Sequence, residues 1–447
     1  MFTNIELLQE ENKFFIKLIV SQGTKSILEM KSLLVYFIIW RLCMRKSKKV
    51  YIISVFIILI IIIVIGLFTL PDYVNITYLK RCIVWGPSGI EDYKRFPYHV
   101  VNNGTSIFNF KKNSQDNIIA AVSKDLEYKY KAQTKLIGDI DKFLQDTNTT
   151  AFIVIKDDNI LYEKYFNGYS RDSINTSFSV AKSFVSALIG IAIDEGYIKS
   201  VDEPITNYIP ELSDKGFNKV TIKNLLSMSS GIKYVEYPLP TGDDTKTYYS
   251  TDLRKLAIEE VNLKDPIGQY FHYNNYHPLL LGLILERATH KLASEYLEEK
   301  IWKPLGMEYP ASWSIDSIES GFEKMESGIN ARSIDFAKFG RLFLNKGNWN
   351  GKQIISEKWV TESTKADFTQ DKEYYKNAWF YKKSVYYKYF WYSYSRGEPD
   401  YDFFAAGHLS QYIYISPQKK LIILRNGKDD GKVDYWSEIL HNLSNKL

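Results

Sequence analysis

Cysteine is nearly missing from this chain. Its 447 residues hold two, Cys43 and Cys82, in neither a CxxC pair nor a metal-like cluster, which removes a disulfide framework and a thiolate metal site from consideration. Histidine is almost as scarce at six residues, and HExxH does not occur, so the helix-borne zinc hydrolase signature is excluded and no metal or other cofactor is expected. A strong charge of one sign is missing too. The formal net charge is +5, and part of it sits in one cluster, Arg41, Arg45, Lys46, Lys48 and Lys49. That leaves no basic face for a nucleic-acid partner. Internal repeats are lacking as well. What remains is ordinary globular composition, 45% hydrophobic and 24% charged, enriched in tyrosine at 34 residues, and it allows a sizeable core.

Long apolar stretches are lacking with one exception. Residues 50–70 (VYIISVFIILIIIIVIGLFTL) carry no charge and reach the roughly 20 residues needed to cross a bilayer core. The basic cluster lies on the N-terminal side, and only Lys80 and Arg81 follow after a gap. Positive residues stay cytoplasmic, so the N-terminus is expected inside the cell and the bulk of the chain outside it, periplasmic or extracellular. A cleavable signal would have a shorter apolar core and a small-x-small site; Leu67-Phe68-Thr69-Leu70-Pro71 is a poor one. A single-pass anchor in the lipid bilayer is the expectation. Cys43 and Cys82 then fall on opposite sides and cannot pair. Met44 opens MRKSKKV, which reads like the charged start of a signal anchor and offers a second translation start. The expected organisation is a cytoplasmic segment 1–49, an anchor 50–70, an extension 71–135 and a catalytic domain 136–447.

Within that domain, Ala151 to Lys156 and Ile160 to Phe166 are β-rich runs around Asp157-Asp158-Asn159, the pattern of a hairpin. Ser179 to Ile193 is apolar on nearly every side, as a helix buried in mid-domain would be. Helical spacing recurs at Ile222 to Met228, Leu253 to Val261, Pro278 to Ala288 and Ser333 to Leu344. Phe403 to Gly407, Gln411 to Ser416 and Leu421 to Arg425 read as strands, and Asp434 to Asn445 as a final helix. Strands at both ends with helices between them predict an α+β domain. Its antiparallel sheet is assembled from distant segments, flanked by helices and covered by an inserted helical region.

Ser179 and Lys182 stand three apart, so on a helix they share a face. A serine hydroxyl is a weak nucleophile until a base takes its proton. Lysine becomes such a base only if burial depresses its pKa from about 10.4, and Phe178, Val180, Ala181 and Phe184 would bury it. At the first turn of a helix, the Ser179 N–H has no intrahelical partner and can face a developing oxyanion. Spacing alone does not separate this pair from an N-cap serine with a surface lysine. Ser230 and Lys233 repeat it in a Ser/Gly-rich turn.

Three stretches taken together decide more: SFSVAKSF around Ser179, FHYNNYHPLLLG around Tyr273 and FFAAGHLSQYIYISP around His408. In order and separation they resemble the serine hydrolases related to class C β-lactamases, a β-lactamase/D,D-peptidase-like fold. The nearest flavour is the esterase and 6-aminohexanoate-dimer hydrolase branch. VTIKNLLSMSSGI and SGINARSIDFAKFGRLFLNKGNWNGKQII extend the likeness over about residues 136 to 447. The resemblance implies that Tyr273 shares the Ser179 proton with Lys182 and later protonates the leaving group. It implies that Asn275 hydrogen-bonds substrate and Lys182, and that the Gln411 N–H completes an oxyanion hole with that of Ser179. His408-Leu409-Ser410 occupies the place of the family's KTG element. Histidine there removes a fixed cation at neutral pH, so recognition of a substrate carboxylate should suffer, and Ser410 stands where glycine is usual. The aromatic segment Tyr374 to Phe404, with Trp379, Trp391 and Tyr392, lines a pocket or packs on itself.

The expected function is hydrolysis of a small-molecule ester, amide or peptide through a Ser179 acyl-enzyme. A D,D-peptidase would instead capture a fluorescent penicillin and release it slowly. A non-catalytic tethered binding protein of the same fold would turn over no ester.

Overall fold

The two aspartates between the first predicted strands both take positive φ, 48° at Asp157 and 62° at Asp158, the backbone a tight two-residue hairpin needs. They join β2 (Thr149–Lys156) to β3 (Asn159–Tyr165) in an antiparallel pair. These strands belong to an eight-stranded sheet in the computed structural model. The others are β1 (Lys111–Lys112), β4 (Val385–Lys388), β5 (Trp391–Gly397), β6 (Asp400–Gly407), β7 (Gln411–Ser416) and β8 (Leu421–Gly427). Their spatial order is β4-β5-β6-β7-β8-β2-β3-β1. β8 pairs with β2 from Leu421↔Lys156 to Gly427↔Thr149, so the two ends of the domain meet in mid-sheet as expected.

One expectation needs correction. The sheet is mixed, because β1 lies parallel to β3 at its edge. A strand of two charged residues has no apolar alternation to announce it. Its segment, read as an extension, also supplies Tyr98–Val101, which pairs with Ala311–Ser314. Residues Asp72 to Leu447 form one compact unit.

The structure describes residues 75–236, 241–367, 370, 373–376, 378–380, 384–397 and 400–447, with Ile52, Val55 and Phe56. Apart from those three positions, the apolar run 50–70 lies outside the described residues, as do the segment 1–49 and Cys43. Among the described residues, no helix is long and apolar enough to cross a membrane.

Helices cover both faces of the sheet. On one, α1 (Ala181–Asp194) is buried along nearly its whole length, α2 (Tyr276–Thr289) packs on it, and α3 (Ser333–Leu344) lies against β7 and β8. Close approach of α3 depends on Gly340, where a Cβ would come within 2.9 Å of Ile413 and 3.2 Å of Ile422. Phe184 on α1 stacks on Phe339 of α3 at 3.6 Å. The other face carries helices Asp116–Ser123 and Ile140–Asp146 and the final helix α4 (Trp436–Lys446). A second sheet, ordered Tyr98–Val101, Ala311–Ser314, Ile329–Arg332, Ile174–Thr176, delivers the chain into the turn before α1.

Candidate active site

Strand Ile174–Thr176 ends one residue before a 3-10 turn, Phe178–Val180, which runs into α1. Phe178 takes φ 43°, a left-handed conformation that costs a non-glycine residue about 1 kcal/mol or more. The strained turn lifts the half-buried Ser179 to a cavity of about 450 Å³. Among the described residues the Ser179 N–H has no acceptor.

Lys182, one turn on, is 1% exposed. Its Nζ donates to Ser179 Oγ at 2.9 Å and to the Glu326 carbonyl at 2.9 Å, and stands 4.9 Å from the centre of the Tyr273 ring. Burial lowers its pKa from 10.5 to about 7, opposed by the Glu326 carboxylate. An amine so placed is neutral often enough near pH 7 to accept the serine proton. Tyr273 lines the cavity together with Ser179, and burial pushes its pKa up. Its phenol therefore stays protonated and serves as a donor, not an anionic base.

The remaining predicted residues divide. His408 follows the last residue of β6 and lines the cavity, edge-on to Phe178 at 5.3 Å. Although the residue is exposed, burial by the surrounding protein lowers its pKa against the opposing effect of Asp430, and so disfavours the charged imidazolium. Asn275 does not reach Lys182. Its Nδ2 donates to the Tyr234 hydroxyl at 3.0 Å, and its Oδ1 is buried with no partner among the described residues.

Gln411 is buried behind the hairpin rather than in the cavity. Its Nε2 donates to the carbonyls of His408 (3.2 Å), Leu409 (3.0 Å) and Gly427 (2.8 Å), and its Oε1 accepts from Asn426 Nδ2 at 3.0 Å. The backbone that lies beside the nucleophile is that of Gly407, where a Cβ would fall 2.4 Å from Ser177 O and 3.1 Å from Ser179 N. β5 pairs with β6 only as far as Phe404, whereas β7 pairs with it out to Gly407. The last residues of β6 thus run past β5 to the serine. Ser230, the second SxxK serine, is fully buried on His277 Nε2 at 2.6 Å.

Of the aromatic segment, Trp379 and Tyr392 line the cavity, while Trp391 is fully buried against Phe343 and Phe403. Tyr412, Tyr435 and Trp436 complete the walls, with the carboxylates Asp430 and Asp434. Among the described residues no lysine or arginine lines it.

Residues 137–433 match the beta-lactamase family. The chain belongs to that family. Its beta-lactamase family relatives are serine hydrolases acting on amide or ester bonds. The chain is 27% identical over 238 residues to the 6-aminohexanoate-dimer hydrolase of Paenarthrobacter ureafaciens, covering 50% of this chain and 59% of that one. It is 24% identical over 225 residues to the teichoic acid D-alanine hydrolase of Staphylococcus aureus strain MRSA252, covering 48% and 52%. The chain spans about half the length of these curated relatives. A solved structure from Bacillus anthracis, described as a 6-aminohexanoate-dimer hydrolase, superposes with a TM-score of 0.66 at 24% identity, covering 84% of this chain and 94% of that one. A class C beta-lactamase superposes at 0.52 and 16% identity, covering 74% and 96%. These two likenesses are of fold.

Family motifs could not reveal Glu326 and Lys324. Glu326 holds Lys182 by a backbone carbonyl, which any residue possesses. Its carboxylate pairs with Lys324 Nζ at 2.8 Å, both side chains 2% exposed. A lysine and a glutamate two apart carry no sign in sequence that they are buried together.

Proposed function

We propose that the chain is a membrane-anchored serine hydrolase that cleaves an ester or amide bond through an acyl-enzyme on Ser179. The observation that carries the reading is the 2.9 Å bond from a buried, largely neutralised Lys182 to Ser179 Oγ at the cavity wall. Ser179 Oγ attacks the carbonyl carbon while its proton passes to Lys182. The Ser179 N–H and the backbone N–H of His408, at the end of β6, supply the donors for the oxyanion. Tyr273 then gives its proton to the leaving group and regains one from the Lys182 ammonium. Water enters by the reverse transfers and releases the acid. The buried Asn275 Oδ1, without a partner among the described residues, leaves an acceptor for an N–H of the substrate if the site opens to it.

A His408 whose charged form is disfavoured and a cavity with carboxylates in place of cations disfavour substrates that present a carboxylate, which argues against a D,D-peptidase role. Short esters and amides, uncharged or carrying an amine, fit the aromatic walls better. The apolar run 50–70 and its basic N-terminal flank support a single membrane span with the catalytic domain outside the cytoplasm. Ser179→Ala tests the chemistry: it is expected to abolish labelling by a fluorophosphonate probe, and a variant that still labels overturns the assignment.

A further inference from the structure

The first described helix after the apolar run has two faces of opposite character. Its α-turns, Ile76–Lys80, continue directly into a π-turn, Arg81–Trp85. Asn75 caps the start, accepting from the N–H groups of Thr77 and Tyr78 at 3.0 and 3.1 Å. The inner face is bolted down. Tyr78 and Cys82 are buried, and the Arg81 guanidinium donates to the carbonyls of Tyr249, Ser250 and Asp316. The outer face carries Ile76, Ile83 and Val84, which are 67%, 78% and 68% exposed. Positions 76, 80, 83 and 84 fall on one helical stripe, so these aliphatic groups share it with the exposed Lys80. Clustered large aliphatic side chains on a rigid face mark a contact surface.

Tether length says what covers it. The uncharged run ends at Leu70, six positions before Ile76. Six extended residues reach about 20 Å at most. If 50–70 spans a bilayer, the helix cannot leave the vicinity of the membrane surface, and the headgroup layer itself is about 5–7 Å deep. An amphipathic segment with aliphatic groups outward and a lysine among them is suited to the headgroup boundary.

We propose that the outer face of residues 76–85 lies in the lipid interface, with Ile76, Ile83 and Val84 among the headgroups, and holds the catalytic domain against the bilayer. The inference rests on the membrane span proposed above. Because Arg81 ties this helix to residues 249, 250 and 316, the contact restricts the orientation of the whole domain, not only of a linker.

Site-directed spin labelling of the full chain tests it, in nanodiscs of phosphatidylcholine with phosphatidylglycerol. A nitroxide is placed at Ile83→Cys in a Cys43→Ser/Cys82→Ser background and compared with Ile318→Cys, a site 81% exposed elsewhere on the domain. The label at 83 is expected to collide several-fold more with oxygen than with an aqueous nickel chelate, relative to the label at 318. Equal ratios at the two sites overturn the proposal. Protection at 83 from both reagents overturns it too, since protein would then cover the face. A chain that fails to insert in the bilayer overturns the span and the interface together. Insertion with equal ratios removes only the interface. Fluorophosphonate labelling of Ser179 in each labelled variant reports that the fold is intact.

Discussion

Replacing Lys182 by methionine should give a dead but more stable protein. The folded pKa of Lys182 is held at about 7 against 10.5 for the free side chain. Below pH 10.5 the folded chain must either bury an ammonium or give up a proton that the unfolded chain keeps. At pH 7 this penalty is on the order of 4 kcal/mol, at about 1.36 kcal/mol per pKa unit. Methionine removes it. What is lost is the pair of 2.9 Å bonds to Ser179 Oγ and the Glu326 carbonyl, together worth about 2–3 kcal/mol. The variant should therefore be about 1–2 kcal/mol more stable at neutral pH. The sign reverses with alkali. A lowered lysine pKa means that the unfolded state binds more protons between pH 7 and 10.5, so wild-type stability rises across that window. The advantage of methionine should shrink and change sign between about pH 8 and 9, where the falling penalty equals the lost bonds. Urea unfolding of both full chains in the same mild detergent, at pH 7, 8, 9 and 10, measures it. A variant less stable at pH 7, with a difference that does not move with pH, would refute a buried amine of depressed pKa.

The same amine sets the pH profile. Ester turnover, as kcat/KM, should fall about tenfold per unit below pH 7, and an acid limb centred above pH 9 would exclude neutral Lys182 as the base. Lys324→Met removes the cation paired with the Glu326 carboxylate beside Lys182, so the limb should move up by about one unit or more and return in Lys324→Arg. A uniform loss at every pH would show that Lys324 only supports the fold. Gly407→Ala forces a Cβ to 2.4 Å from Ser177 O, beside the nucleophile. Its fluorophosphonate labelling should slow by about 100-fold or more while far-UV circular dichroism holds, and unchanged labelling refutes the close approach.

Elements with long periodic patterns were legible, because burial imposes the period. The run expected from Ser179 to Ile193 holds the buried α1, which begins at Ala181 after a 3-10 turn that carries Ser179, and Ser333 to Leu344 is α3 to the residue. Ser179, Lys182 and Tyr273 were legible as members of separated motifs and do meet. Asn275 and Gln411 were legible as motif members only. The Asn275 side chain bonds Tyr234 and the Gln411 side chain the hairpin carbonyls, and a motif says nothing of where an amide points; the role expected of Gln411 was that of its backbone N–H. β1 was invisible because its partner, not its own pattern, makes it a strand.

The turn after β6 shows why the rest escapes a local reading. Leu409 and Ser410 both take φ of 60°, where glycine or asparagine would sit at little cost and these residues lose roughly 1–2 kcal/mol each. Something outside the turn must hold it. Ser410 Oγ donates to Asp430 at 2.6 Å, Arg425 Nη1 donates to the Ser410 carbonyl at 2.7 Å, and Gln411 Nε2 donates to the carbonyls of His408 and Leu409. Arg425 in turn lies 3.8 Å from the Trp436 ring, a cavity wall. The clamp sets the end of β6, and the end of β6 sets the distance from Gly407 to Ser179. Local preference and native backbone therefore disagree at the turn that positions the nucleophile's neighbour, as they do at Phe178 on the other side of it. Strain of this kind persists only where packed groups over-determine the conformation, so the buried Gln411 side chain contributes to the site by holding backbone.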